Sequence, residues 1–151
     1  MNLTRDPEVV NFPAAHYVFV EKVGPFMQTA GQAWQTAHSF VPELLKNNQI
    51  TGHMSLYKTG PKVYRAGFAL SARPVDLPAG LAYEKFDGGM YSRFVLTGPY
   101  TDLPAASGAV WNIVAEKHLP VRDDFAIENY MNDPRVTPED QLITHIMIPA
   151  A

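Results

Sequence analysis

The chain has no cysteine, which excludes disulfides, thiolate nucleophiles and cysteine-ligated zinc or iron–sulfur centres. Charge is sparse: 18% of the 151 residues are charged, below the roughly 25% usual for soluble domains. Positive charge is the scarcer sign, with 12 Lys and Arg against 15 Asp and Glu and a net charge of −3. Without a basic patch, a direct nucleic-acid surface is not expected. Long hydrophobic runs are also missing, so no segment reaches the 18 or so residues that a membrane span needs. The N-terminal stretch MNLTRDPEVVNF lacks the basic and apolar regions of a signal peptide, and a cytoplasmic location is the expectation. What is present is 46% hydrophobic and 11% aromatic content, ample for the core of one ordinary domain.

The most informative feature is an internal echo. Val23-Gly24-Pro25-Phe26 recurs as Thr97-Gly98-Pro99-Tyr100, and Trp34 recurs as Trp111 in a similar Ala-rich setting. Tyr57-Lys58-Thr59-Gly60-Pro61-Lys62-Val63 recurs as Tyr130-Met131-Asn132-Asp133-Pro134-Arg135-Val136. Anchors in the same order at nearly constant offset point to two related halves, approximately residues 10–74 and 81–150. Two copies are too few for a solenoid.

Each half reads as strand, helix, strand, strand. In the first, His16 to Val23 alternates as a strand, and Gly24-Pro25 breaks it. Met27, Ala30, Trp34, Ala37 and Val41 then form a helical stripe, which Pro42 must end or restart. Ile50 to Lys58 and Lys62 to Ser71 form a hairpin around Thr59-Gly60-Pro61. The second half opens with a strand from Leu81 to Phe86, followed by a strand from Met90 to Thr97. A helix carrying Leu103, Ala106, Val110, Ile113 and Val114 on one face comes next. Phe125 to Met131 and Gln141 to Pro149 make the last hairpin. The fold class expected is α+β: an antiparallel sheet with helices on one side and a central cleft between pseudo-two-fold halves.

The duplication also acts as an internal control. Aligning Tyr57 with Tyr130 places Glu128 opposite Ser55, so the carboxylate is not a demand of the shared scaffold. Strand alternation puts Glu128 and Tyr130 on one face and Phe125 and Ile127 on the other. Two readings of Glu128 follow: a solvent-facing side chain, or an acid at the base of an aromatic pocket. In the second, desolvation raises its pKa and it meets a cation or handles a proton. Trp111, Trp34 and Tyr130 are available for an aromatic cage, although both Trp residues also fit a core stripe. Tyr91 follows a Gly-Gly break that could open onto a cleft, and it too reads as a packing residue.

The five histidines show no metal-ligand spacing, and no metal or cofactor is expected. His145, on the last strand, could approach Glu128 across the sheet. No Gly-x-Ser-x-Gly elbow occurs, which disfavours a serine hydrolase.

The stretch Ile127-Glu128-Asn129-Tyr130 followed by Asn132-Asp133-Pro134 resembles the signature of gyrase-inhibitor-like (GyrI-like) small-molecule-binding domains. So do Tyr91-Ser92-Arg93-Phe94-Val95, Gly98-Pro99-Tyr100, the duplicated architecture and the terminal strand ending in Ile148-Pro149. The resemblance runs approximately from Val10 to Ala150. It implies a fold similar to the SOUL proteins and a relation to AraC-type effector-binding domains. It also implies a cleft in which the strand glutamate, here Glu128, meets cationic amphipathic ligands among aromatic residues. The ligand-binding residues it suggests are Glu128, Tyr130, Trp111, Tyr91, Trp34 and His145, with a hydrophobic or cationic small molecule as partner. One group of relatives hydrolyses cyclopropane-bearing genotoxins, and there Glu128 would be the catalytic residue. Others inhibit gyrase or serve as sensors of transcription regulators, which makes a protein partner conceivable. No helix-turn-helix segment is present, so DNA binding would have to come from another chain.

Overall fold

Each copy of the Gly-Pro echo turns a strand into a helix. Gly24 and Gly98 both have positive φ, +134° and +148°, a region open to glycine and costly for other residues. Their amides make matching hydrogen bonds, Gly24 N–H to Lys62 O at 3.0 Å and Gly98 N–H to Leu142 O at 2.8 Å. The proline that follows has no N–H to lose at a helix entrance.

The computed structural model describes residues 1–151. The strands are β1 (Asn2–Leu3), β2 (Glu8–Phe12), β3 (Ala15–Val23), β4 (Ile50–Lys58), β5 (Val63–Leu70), β6 (Ala82–Phe86), β7 (Gly89–Thr97), β8 (Ala126–Tyr130) and β9 (Ile143–Pro149). The helices are α1 (Phe26–Ser39), the short α2 (Val41–Leu44) and α3 (Leu103–Glu116). A 3₁₀ turn over Tyr100–Asp102 leads into α3. No helix is long and apolar enough to cross a membrane.

The chain divides into two compact units, residues 13–88 and residues 1–12 with 89–151. In the first unit the strand order is β4-β5-β3-β6, all antiparallel, and α1 packs on β3 and β5. In the second unit β8, β9 and β7 are neighbours, and β1 and β2 both pair with β7, again antiparallel. There α3 approaches the strands mainly along β7. The architecture is α+β, as the mixture of alternating strands and helical stripes predicts.

Two details differ from the periodicity reading. The strand expected to open the second half, β6, instead pairs with β3, Ala15 facing Phe86 and Phe19 facing Ala82. Its counterpart β2, just ahead of β3 in the chain, pairs with β7. The two repeats have therefore exchanged their first strands. Nothing in a strand's own alternation specifies which neighbour it will pair with.

The second difference is in α1. Thr29, Ala33 and Ala37 are its buried residues, and Met27 is 85% exposed. Met27 lies about 120° of helical rotation from the centre of that face, outside the stripe. In α3 the residues Ala106, Val110, Ile113 and Val114 are buried, in agreement with the periodicity. Ala106, Val110 and Val114 stand in α3 where Thr29, Ala33 and Ala37 stand in α1.

A side chain at Gly31 in α1 would meet no atom within 4 Å. Gly31→Ala should therefore stabilise the protein by roughly 0.5–1 kcal/mol, as expected in a helix interior. Thermal unfolding should show a rise of about 1–4 °C.

Candidate functional site

Strand β8 carries Ala126, Glu128 and Tyr130 on one face. In the ladder Glu128 lies opposite Ile146 and Tyr130 opposite Thr144 on β9. Those two lie opposite Phe94 and Leu96 on β7. Ala126, Phe94, Leu96, Thr144 and Ile146 are all buried, so this is the interior face of its unit. Glu128 sits in it with 8% of its surface exposed, which excludes the solvent-facing reading.

Burial pushes the Glu128 carboxyl up to about 7, partly opposed by a hydrogen bond from Tyr130. That bond, from the Tyr130 hydroxyl to Glu128 Oε1, is long at 3.4 Å, so it returns little of the lost hydration. No Lys or Arg forms an ion pair with Glu128. The Tyr130 ring meets Tyr100 edge-on, with centroids 5.4 Å apart. Burial also raises the pKa of the Tyr100 hydroxyl, with the nearby Asp133 charge adding to the shift.

The sign of the pH dependence follows from the Glu128 shift. The folded protein holds the proton up to about pH 7, whereas the unfolded chain releases it near the ordinary value of 4.5. Stability from this group is complete below pH 4.5 and falls as pH rises toward 7 and above. The difference should amount to roughly 3 kcal/mol. In chemical denaturation at pH 5 and pH 8, Glu128→Gln should lose that part of the pH dependence and be the more stable form at pH 8.

The duplicated half shows what is distinctive here. In the first unit Phe26 meets Tyr57 edge-on at 5.7 Å, the counterpart of Tyr100 and Tyr130. Above that pair, the Trp34 indole N–H donates to Ser55 Oγ at 3.0 Å and to Tyr64 Oη at 2.9 Å. The two hydroxyls are 2.7 Å apart, so all three polar groups satisfy one another. The corresponding positions are Trp111, Glu128 and Thr144, since Tyr57 faces Tyr64 and Tyr130 faces Thr144. Here the triad does not close. Trp111 Nε1 and Thr144 Oγ1 are buried without a hydrogen-bond partner. Buried polar groups are nearly always paired, so two such groups at equivalent positions call for a reason.

The candidate residues thus separate. Glu128 and Tyr130 come together, joined by Tyr100, and Trp111 and Thr144 are their counterparts of the closed triad. Trp34 is engaged by its own hydrogen bonds in the first unit. Tyr91 faces the other way: it pairs opposite Pro149, is fully buried, and donates from its hydroxyl to Phe125 O at 2.9 Å. Burial pushes its phenol well above the ordinary range. The approach of His145 to Glu128 is corrected by the register. His145 lies opposite Asn129 and Val95, on the reverse face, with its pKa lowered by burial and then by Arg93. The side of a sheet on which a residue falls depends on register, and a step of one residue reverses it. Sequence reasoning missed Tyr100 and Thr144. The echo pairing Tyr100 with Phe26 was the available signal for the first. Thr144 had none, because its equivalence to Tyr64 emerges from strand pairing. No cluster of three or more metal-ligating side chains occurs.

Solved structures share this architecture at low sequence identity. The C-terminal domain of EcmrR is 12% identical with a TM-score of 0.80, covering 100% of this chain and 99% of that one. SAV2435 bound to tetraphenylphosphonium is 15% identical with a TM-score of 0.76, covering 96% and 93%. A hydrolase from Listeria innocua is 12% identical with a TM-score of 0.60, covering 98% and 93%. Among curated proteins no sequence matches. The family model for the GyrI-like small molecule binding domain matches residues 5–151. The chain belongs to that family.

Proposed function

We propose that the protein binds hydrophobic organic cations, with Glu128 as the buried counter-charge and Tyr130 and Tyr100 as aromatic neighbours. The observation that carries this reading is a carboxyl buried on an apolar face without a cationic side chain to pair with. A buried charge of that kind is costly unless something compensates it. An organic cation supplies the missing charge, buries its own apolar surface and interacts with tyrosine rings. The tetraphenylphosphonium complex of SAV2435 supports the ligand class.

The test compares tetraphenylphosphonium with tetraphenylborate, which has the same shape and the opposite charge. The cation should raise the melting temperature and the anion should not. The affinity for the cation should increase from pH 6 to pH 8 as Glu128, with its pKa of about 7, ionises. Equal binding of the two ions, or a flat pH profile, would overturn the reading.

A second reading uses the same carboxyl for proton transfer during the addition of water to a cyclopropane-bearing electrophile. A carboxyl that titrates near neutral pH suits general acid–base work, and that observation favours it. Mass spectrometry of such an alkylator incubated with the protein would show the hydrated product. Unchanged alkylator at high protein concentration removes this alternative.

A further inference from the structure

We propose that the ligand's head group is a protonated amine carrying a hydrogen-bond acceptor a few bonds away, as in an α-amino amide. This rests on the cation reading above and adds to it a chemical demand that charge alone does not make.

The inference comes from the two halves of the molecule. In the first unit, Trp34, Ser55 and Tyr64 close a three-membered polar cluster with separations of 2.7–3.0 Å. In the second unit the same backbone positions hold Trp111, Glu128 and Thr144. Replacing a tyrosine by threonine removes a whole ring, and with it the hydroxyl that the indole would otherwise reach. Replacing serine by glutamate adds a carboxyl, yet Trp111 Nε1 makes no hydrogen bond to it. The three polar groups that satisfy one another in one half make no hydrogen bonds to one another in the other.

Each group narrows the partner. An indole N–H only donates, so Trp111 requires an acceptor. An ionised Glu128 only accepts, so it favours a cation that bears an N–H over one that does not. Thr144, which is fully buried, can donate or accept, and its unpartnered hydroxyl can serve either end of the head group. A quaternary ammonium or tetraarylphosphonium ion satisfies the charge of Glu128 and leaves Trp111 and Thr144 unpaired. Sites built from buried polar groups discriminate strongly against ligands that leave those groups unpaired. An α-amino amide answers all three groups: its ammonium N–H faces Glu128, its carbonyl faces Trp111, and either end can engage Thr144.

The experiment uses lidocaine, a tertiary amine with an amide carbonyl, its N-ethyl quaternary salt, and tetraphenylphosphonium. Calorimetric titrations at pH 7.5 are run on the wild type and on Trp111→Phe, Thr144→Val and Glu128→Gln. Lidocaine should bind at least about 10-fold tighter than its quaternary salt, a difference of about 1.4 kcal/mol. Trp111→Phe should weaken lidocaine about 10-fold more than it weakens tetraphenylphosphonium, since both cations lose the same apolar contact and only lidocaine also loses a hydrogen-bond donor. The Trp111 indole proton, followed by ¹H–¹⁵N spectroscopy, should shift downfield with lidocaine and not with tetraphenylphosphonium.

If tetraphenylphosphonium binds through Glu128 but lidocaine gains nothing over its quaternary salt, the proposal fails and the cation reading stands. The proposal fails equally if Trp111→Phe affects both cations alike. The two unpaired groups would then be satisfied by water alone. If none of the three cations binds, both readings fall together.

Discussion

Glu128→Gln should abolish most of the stabilisation that a lipophilic cation confers. At a ligand concentration of 100 times Kd, the wild type gains about 2.7 kcal/mol. For a chain of 151 residues that corresponds to a melting-temperature rise of roughly 5–11 °C. Glutamine keeps the size of the side chain and an acceptor for the Tyr130 hydroxyl, and removes only the charge. Loss of a buried counter-ion should weaken cation binding by about 100-fold, leaving a rise of about 1 °C at the same concentration. The ligand-free variant should move the other way. Glutamine cannot ionise, so above pH 7 the variant escapes the cost of charging a carboxyl whose pKa burial has raised. It should then be more stable than the wild type. Lost binding together with gained stability separates a functional carboxyl from a structural one. A variant that loses binding because it unfolds would show both effects downward, and that result would remove Glu128 from the site.

The largest effect on stability is expected from Gly67→Ala. Gly67 lies in β5, opposite Phe19 of β3 and Met54 of β4. A Cβ there would stand 2.1 Å from Val18 O, 2.8 Å from Phe19 Cβ and 2.9 Å from Phe19 Cα. Two of those three are backbone atoms, which cannot rotate aside. The sequence pairs this small residue with aromatic neighbours. Tyr17 and Phe19 stack at 5.2 Å, and the Tyr17 hydroxyl reaches across β5 to donate to Met54 O at 2.9 Å. A methyl group at Gly67 has to push β3 outward and disturb that bond. Overpacking commonly costs 1–3 kcal/mol, and a clash with fixed backbone belongs at the upper end or beyond. We expect about 3 kcal/mol or more, seen as a fall of roughly 6–12 °C in melting temperature. Gly31→Ala, the same chemical change in open space, is the control and should shift stability upward. A Gly67→Ala protein as stable as the wild type would mean that β3 and β5 are not so closely apposed.

Much of the fold was legible because its signals are local. Gly24 and Gly98 mark positions that need positive φ, and the α3 stripe is a matter of helical period. Glu128 and Tyr130 could be placed on one face because they are two residues apart in the same strand. What was not legible depends on pairing. The faces of Tyr91 and His145 relative to Glu128 were set by the β7–β9–β8 register, which neither residue's neighbours encode. The attachment of β6 to β3 likewise follows from which strand edge is available in three dimensions. Trp111 was visible as a repeat of Trp34, but its lack of a hydrogen-bond partner is a property of the assembled triad. It required seeing Thr144 where the other half has Tyr64.

The exchange of first strands has a consequence for how the protein is made. During synthesis β1 and β2 emerge first, yet their partner β7 begins only at Gly89. Residues 13–88 can complete their own unit while those two strands wait with their edges unpaired. Pairing across so long a stretch of chain is slow to form, because the loop must close before any contact rewards it. The strand lying between β7 and β8, β9, is made after all the other strands. The surroundings of Glu128 therefore assemble only after β9 has been made, and a nascent chain halted before Ile143 would hold the unit of residues 13–88 but lack the strand that joins β7 to β8.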